Sequence, residues 1–88
     1  MTFSGRRIEV RGTVQGVGFR PFVYQLARRN GIAGRVRNDA SGVVIDAFAP
    51  AETLDLFLRV LESEAPPSAR VRSVEWVAVT GPAPADAR

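Results

Sequence analysis

Between Ile8 and Ala27 the apolar residues change period, and the change falls across residues 12–21, GTVQGVGFRP. Before it, Ile8, Val10, Gly12 and Val14 alternate with Glu9, Arg11, Thr13 and Gln15, the period of a strand with one buried face. After it, Phe22, Val23, Leu26 and Ala27 share one face at helical spacing. Pro21 stands where a first helical residue belongs and Gly31 where a C-terminal cap belongs, which predicts a helix of about ten residues. A strand therefore feeds a helix through a connection unusually rich in glycine.

The same reading continues along the chain. GRVRND (residues 34–39) alternates again, DASG (39–42) supplies turn chemistry, and VVIDAFA (43–49) is apolar and β-branched; together they predict a hairpin. Leu54, Phe57, Leu58 and Leu61 repeat at the spacing of an amphipathic helix, which Pro66 and Pro67 stop. Residues 70–80 read as a fourth strand whose alternation slips between Val71 and Val74, so either a bulge or a start near Ser73 is expected. The tail GPAPADAR has no pattern and is expected to be a disordered tail or a linker, outside a domain of residues 1–80. Strand, helix, strand, strand, helix, strand with a central hairpin is the split βαβ arrangement. The expected fold is a ferredoxin-like α+β sandwich (βαββαβ), an antiparallel sheet with two helices on one face.

Inventory then limits the chemistry. A chain of 88 residues is one domain with one modest core. With no cysteine and no histidine, it has no thiol nucleophile, disulfide, Cys/His zinc site or imidazole base. All 12 basic residues are arginine, set against nine carboxylates. That bias fits codon usage in a GC-rich genome, and it also fits bidentate recognition of oxyanions. The net charge of +3 is compatible with an anionic partner such as a phosphate ester, a nucleic acid or an acidic surface. The opening MTFSGRRIEVRG has an Arg pair but no apolar run after it, and it is not expected to act as a signal peptide. No stretch approaches membrane-spanning length, and a cytoplasmic location without a membrane partner is expected.

The glycine-rich connection is also a chemical candidate. Gly16 and Gly18 can reach positive φ, which lets successive amides curl into a concave nest at the positive end of a helix dipole. Arg20 would offer a planar fork of donors to the same anion. Pattern alone leaves this open, because the loop lacks the GK[ST] of a P-loop and Pro21 replaces the third glycine of a dinucleotide fingerprint. A plain tight turn fits as well. Asn38, of the same parity as Val36, stands at the end of the second strand, where Asn before Asp is also ordinary turn chemistry.

GTVQGVGFRPF followed by GIAGRVRNDASGVVIDAFA closely resembles the acylphosphatases, with their G-x-V-Q-G-V-x-F-R loop and G-x-V-x-N motif. The resemblance covers residues 6 to about 80, with both motifs at the family's spacing. RPFV at residues 20–23 and PPSARVRSVEW at 66–76 are similar to the N-terminal acylphosphatase domain of hydrogenase-maturation carbamoyltransferases, the HypF family. There the domain precedes zinc-finger and carbamoyl-transfer modules, so this chain looks like that domain cut out.

The resemblance implies hydrolysis of an acyl phosphate, here carbamoyl phosphate, to carboxylate and inorganic phosphate, without metal or other cofactor. It implies that the amides of Gln15, Gly16, Val17, Gly18, Phe19 and Arg20, with the Arg20 guanidinium, hold the phosphoryl oxygens. Inorganic phosphate or sulfate would bind at the same loop. Asn38 would orient the attacking water. One departure is the tail, which lacks the apolar-alternating last strand common in the family. The alternative within the family is a domain that binds or channels acyl phosphate without hydrolysing it.

An RNA-binding module shares the element order and the basic charge. Its sheet face here would carry Glu9, Arg11, Thr13, Arg35, Arg37, Val44, Asp46 and Phe48, a poor stacking platform with one aromatic residue. Nucleic acid is therefore disfavoured. Tyr24 and Trp76 read as packing residues, and Arg28 and Arg29 as a solvated helix face.

Overall fold

The computed structural model describes residues 3–80; the tail expected at 81–88 lies outside the described residues. Six elements occur in the expected order: β1 (Ser4–Thr13), α1 (Phe19–Arg29), β2 (Ala33–Asp39), β3 (Gly42–Ala49), α2 (Ala51–Ser63) and β4 (Arg70–Val79). The strands form one antiparallel sheet in the order β2-β3-β1-β4. Ile8 and Val10 of β1 lie opposite Ile45 and Val43 of β3, and these side chains meet Val23 and Leu26 of α1 and Leu54, Phe57 and Leu61 of α2 in one core. Both helices thus cover the same face, as in the ferredoxin-like sandwich. Each such side chain withdrawn from water contributes about 1.5–3 kcal/mol.

Helix α1 begins two residues before Pro21, with Gly18 as its N-cap. The proline is tolerated in the first turn because N–H groups there have no acceptor within the helix. The first helical bond runs from Phe22 N to Gly18 O at 3.2 Å. At the other end Gly31, φ 67°, closes the helix: Ile32 N donates to Ala27 O at 2.9 Å and Gly31 N to Arg28 O at 3.3 Å. That paired closure is the Schellman arrangement.

Strand β1 starts at Ser4, earlier than the apolar alternation reveals, because the core-facing position next to Ile8 holds Arg6. Arg6 is only 7% exposed. Its guanidinium donates to Asp55 of α2 at 2.7 Å and lies 4.0 Å from the centre of the Trp76 ring. The stem is packed as an apolar side chain while the charge keeps a carboxylate and a ring face.

Strand β4 runs its full length, and of the two expectations the bulge is the one realised. Arg11 pairs with Ser73 but Gly12 with Val71, leaving Arg72 as the extra residue. Trp76 packs through its stack on Arg6, although 45% exposed. Tyr24 is 52% exposed and stands outside the core, against the expectation that it packs there. Arg28 and Arg29 are exposed, as expected.

The helix-free face is mixed. Arg7 bonds Asp46 at 2.9 Å, which raises the Arg7 pKa above its ordinary value, and Arg11 pairs with Glu9. Val44 and Phe48, on the same face, are nonetheless buried. The Phe48 ring lies against Gly5 and is buried, so the one aromatic of that face is unavailable for stacking on a base. No helix among the described residues is long and apolar enough to cross a membrane.

Candidate functional site

The connection from β1 to α1 is held at both ends by the core. Val14 and Phe19 are each 1% exposed, and Val17 between them is half-buried against the same cluster. Gln15, Gly16, Gly18 and Arg20 stay exposed. Gly16 (φ 73°) and Gly18 (φ 82°) occupy left-handed backbone conformations, and a Cβ at either would meet no atom within 4 Å. These glycines serve backbone conformation rather than close packing.

Gly18 caps α1 without a side-chain hydrogen bond, and the first turn holds no acidic residue. The Phe19 and Arg20 amides therefore sit at a helix N-terminus whose partial positive charge the chain does not itself neutralise. That is the electrostatic condition for receiving an anion.

The register of the sheet brings Asn38 to this point. Asn38 of β2 pairs with Val43 of β3, and Val43 pairs with Val10 of β1, so Asn38 stands at the sheet end from which β1 delivers the loop. A cavity of about 240 Å³ is lined by Gln15, Gly16, Gly18, Phe19, Arg20 and Asn38, with neighbouring Val14 and Pro21. Val17 is not among its lining residues. The Arg20 and Asn38 side chains are exposed and have no hydrogen-bond or ion-pair partner among the described residues. The residues around this space carry main-chain amides, one guanidinium fork and one carboxamide, the donor types that suit a phosphate-sized anion.

Two residues acquire roles that the linear pattern does not show. The Gln15 side chain reaches the hairpin, where its Nε2 donates to Asp39 O at 2.6 Å and Gly42 O at 2.9 Å. Gly42 was legible as a turn residue, but its φ is not positive. It is needed because a Cβ would run into the carbonyl oxygen of Val10. The glutamine itself was the only sequence signal for the first role, since its acceptors are 24 and 27 residues away.

A larger cavity, about 450 Å³, lies between α1 and β2 and includes Val23, Tyr24, Ala27, Ile32 and Phe57 in its lining. It is mainly apolar and contains neither the loop amides nor Arg20 or Asn38, so size does not identify the chemistry here. Among the described residues, no three His, Cys, Asp or Glu side chains come together as a metal site.

The family model for acylphosphatase matches residues 6–85. The carbamoyltransferase HypF2 of Cupriavidus necator is 57% identical over 68 residues, 77% of this chain and 8% of that protein. The acylphosphatase of Pseudothermotoga lettingae is 48% identical over 75 residues, 84% of this chain and 83% of that protein. Among solved structures, full-length HypF in its phosphate- and nucleotide-bound form aligns with a TM-score of 0.85 at 31% identity, over 89% of this chain and 10% of that one. The acylphosphatase of Bacillus subtilis aligns with a TM-score of 0.80 at 32% identity, over 91% and 88% of the two chains. The chain thus spans a tenth or less of these carbamoyltransferases and more than four fifths of these stand-alone relatives. With its sequence and its fold both matched across most of its length, the chain belongs to the acylphosphatase family of hydrolases.

Proposed function

We propose that the chain hydrolyses carbamoyl phosphate, as the N-terminal domain of a hydrogenase-maturation carbamoyltransferase, with Arg20 and Asn38 as its catalytic residues. The observation that carries the reading is the shared cavity, whose lining includes loop residues, Arg20 and Asn38 from segments far apart in the chain. The identity to HypF2 supports the choice of acyl group and of parent chain.

In this reading the amides of residues 15–20 and the Arg20 guanidinium hold the nonbridging phosphoryl oxygens. The Asn38 carboxamide holds a water on the side opposite the leaving group. The water oxygen bonds to phosphorus while the bond from phosphorus to the acyl oxygen breaks, and the carboxylate leaves with the electron pair. The water's proton passes to solvent or to the phosphate formed. A carboxylate leaves without being protonated, and a loose transition state asks little of a base, so positioning and charge stabilisation suffice.

The test is phosphate release from benzoyl phosphate and carbamoyl phosphate by wild type, Arg20→Ala and Asn38→Ala. Both variants should lose activity on both substrates. Turnover of benzoyl phosphate alone would remove carbamoyl phosphate from the reading. Equal rates for wild type and both variants would remove the assigned site.

A further inference from the structure

Gln15 belongs to the loop by its main chain and to the hairpin by its side chain. The two carbonyls that accept from its Nε2, those of Asp39 and Gly42, flank the turn at Ala40 and Ser41. Asp39 and Gly42 are also the last pair of the β2–β3 ladder, so one carboxamide engages both sides of a single rung. A primary amide has two N–H donors, enough for one to each carbonyl. Within the turn, Ser41 N donates to the Asp39 side chain at 2.9 Å.

The placement of this strap matters more than its strength. Asn38 is joined directly to Asp39, so the strap acts one peptide away from the residue assigned to the water. The hairpin is also fixed from β1, because Gly42 approaches the Val10 carbonyl too closely for any Cβ. The loop is anchored by Val14 and Phe19, with Arg20 immediately after the second anchor. Gln15 is thus the side-chain link between the loop that leads to Arg20 and the turn that follows Asn38.

We infer that the Gln15 side chain is a positioning residue that sets the separation of Asn38 from the Arg20 cradle. It acts on turnover and leaves phosphate binding largely untouched, because the loop amides and Arg20 remain in Gln15 variants. The inference rests on the roles proposed above for Arg20 and Asn38.

Gln15→Met keeps the length and removes the donors, Gln15→Glu sets a carboxylate against two carbonyls, and Gln15→Asn retains the donors on a shorter stem. Each is compared with wild type by kcat on benzoyl phosphate, by competitive inhibition with inorganic phosphate, and by thermal midpoint. Gln15→Met should lose about tenfold in kcat with its phosphate inhibition constant within about twofold of wild type, and Gln15→Glu should lose more. If Gln15 acts through Asn38, Gln15→Met should cost almost nothing further in an Asn38→Ala background.

Equal losses from Gln15→Met in both backgrounds would overturn the inference, as would weaker phosphate inhibition with kcat unchanged. If Gln15→Met fails to fold, Gln15→Asn carries the same cycle. Loss of activity in Arg20→Ala and Asn38→Ala with wild-type kcat in the folded Gln15 variants would sink this inference alone. Indifference to Arg20→Ala and Asn38→Ala would sink the underlying reading, and this inference with it.

Discussion

The two helices of this protein begin in opposite ways. Helix α2 follows β3 after Pro50 alone, and its first turn contains Glu52. Helix α1 follows a glycine-rich loop, is capped by left-handed Gly18, and has no acidic residue in its first turn. Neither start has a side-chain capping hydrogen bond. At α2 the helix dipole is met by the chain's own carboxylate, whereas at α1 it is left open beside Arg20. The difference separates a junction that carries its own carboxylate from the one to which the proposed function assigns an anion.

Removing the cation beside the open helix start breaks the contrast most severely. Arg20→Ala should lower kcat/KM for benzoyl phosphate by on the order of 10²–10³-fold, about 3–4 kcal/mol, and Arg20→Lys should recover little because a point charge cannot replace a fork. Steady-state phosphate release on all three proteins measures this. Next comes the backbone that bares the amides. Gly18→Ala forces a Cβ into a left-handed conformation and should cost about 1–2 kcal/mol of stability, read as a lower denaturant midpoint at constant m, with weaker phosphate inhibition alongside.

Copying the α2 solution into α1 is a sharper test. Pro21→Glu sets a carboxylate in the first turn and should weaken inhibition by phosphate about tenfold, ~1.4 kcal/mol, without lowering the thermal midpoint. Phosphate inhibition at wild-type strength in that variant would show that the helix start is not where the anion binds. The reverse change at α2 should be the smallest. Glu52→Gln should cost only about 0.3–1 kcal/mol of stability, less at high salt, with kcat/KM unchanged.

The sequence reading reached the element order because apolar period is a local property, repeated within each segment. It also reached the loop, Arg20 and Asn38 as candidates through two motifs and their spacing. It placed the start of β1 too late because Arg6 breaks the apolar pattern, and the partner that permits its burial, Asp55, lies 49 residues away. It placed the start of α1 at Pro21 because Phe19 looked like part of the loop, whereas its ring is a core anchor. Val44 and Phe48 counted as open-face residues by alternation, yet neighbouring side chains and the flanking strands bury them.

By itself, then, the sequence determined the succession of strands and helices, the flexible glycines before α1, and the arginine at the helix entry. Periodicity, left-handed conformations and side-chain chemistry all act over a few residues, so a linear reading can find them. Only the tertiary structure decided that Asn38 shares a cavity with Arg20, through pairings that run from Asn38 to Val43 to Val10. It alone turned Gln15 from one more loop amide into a strap across the hairpin. Those distances are set by sheet register and by the close contact of Gly42 with Val10, which join segments that no local pattern relates.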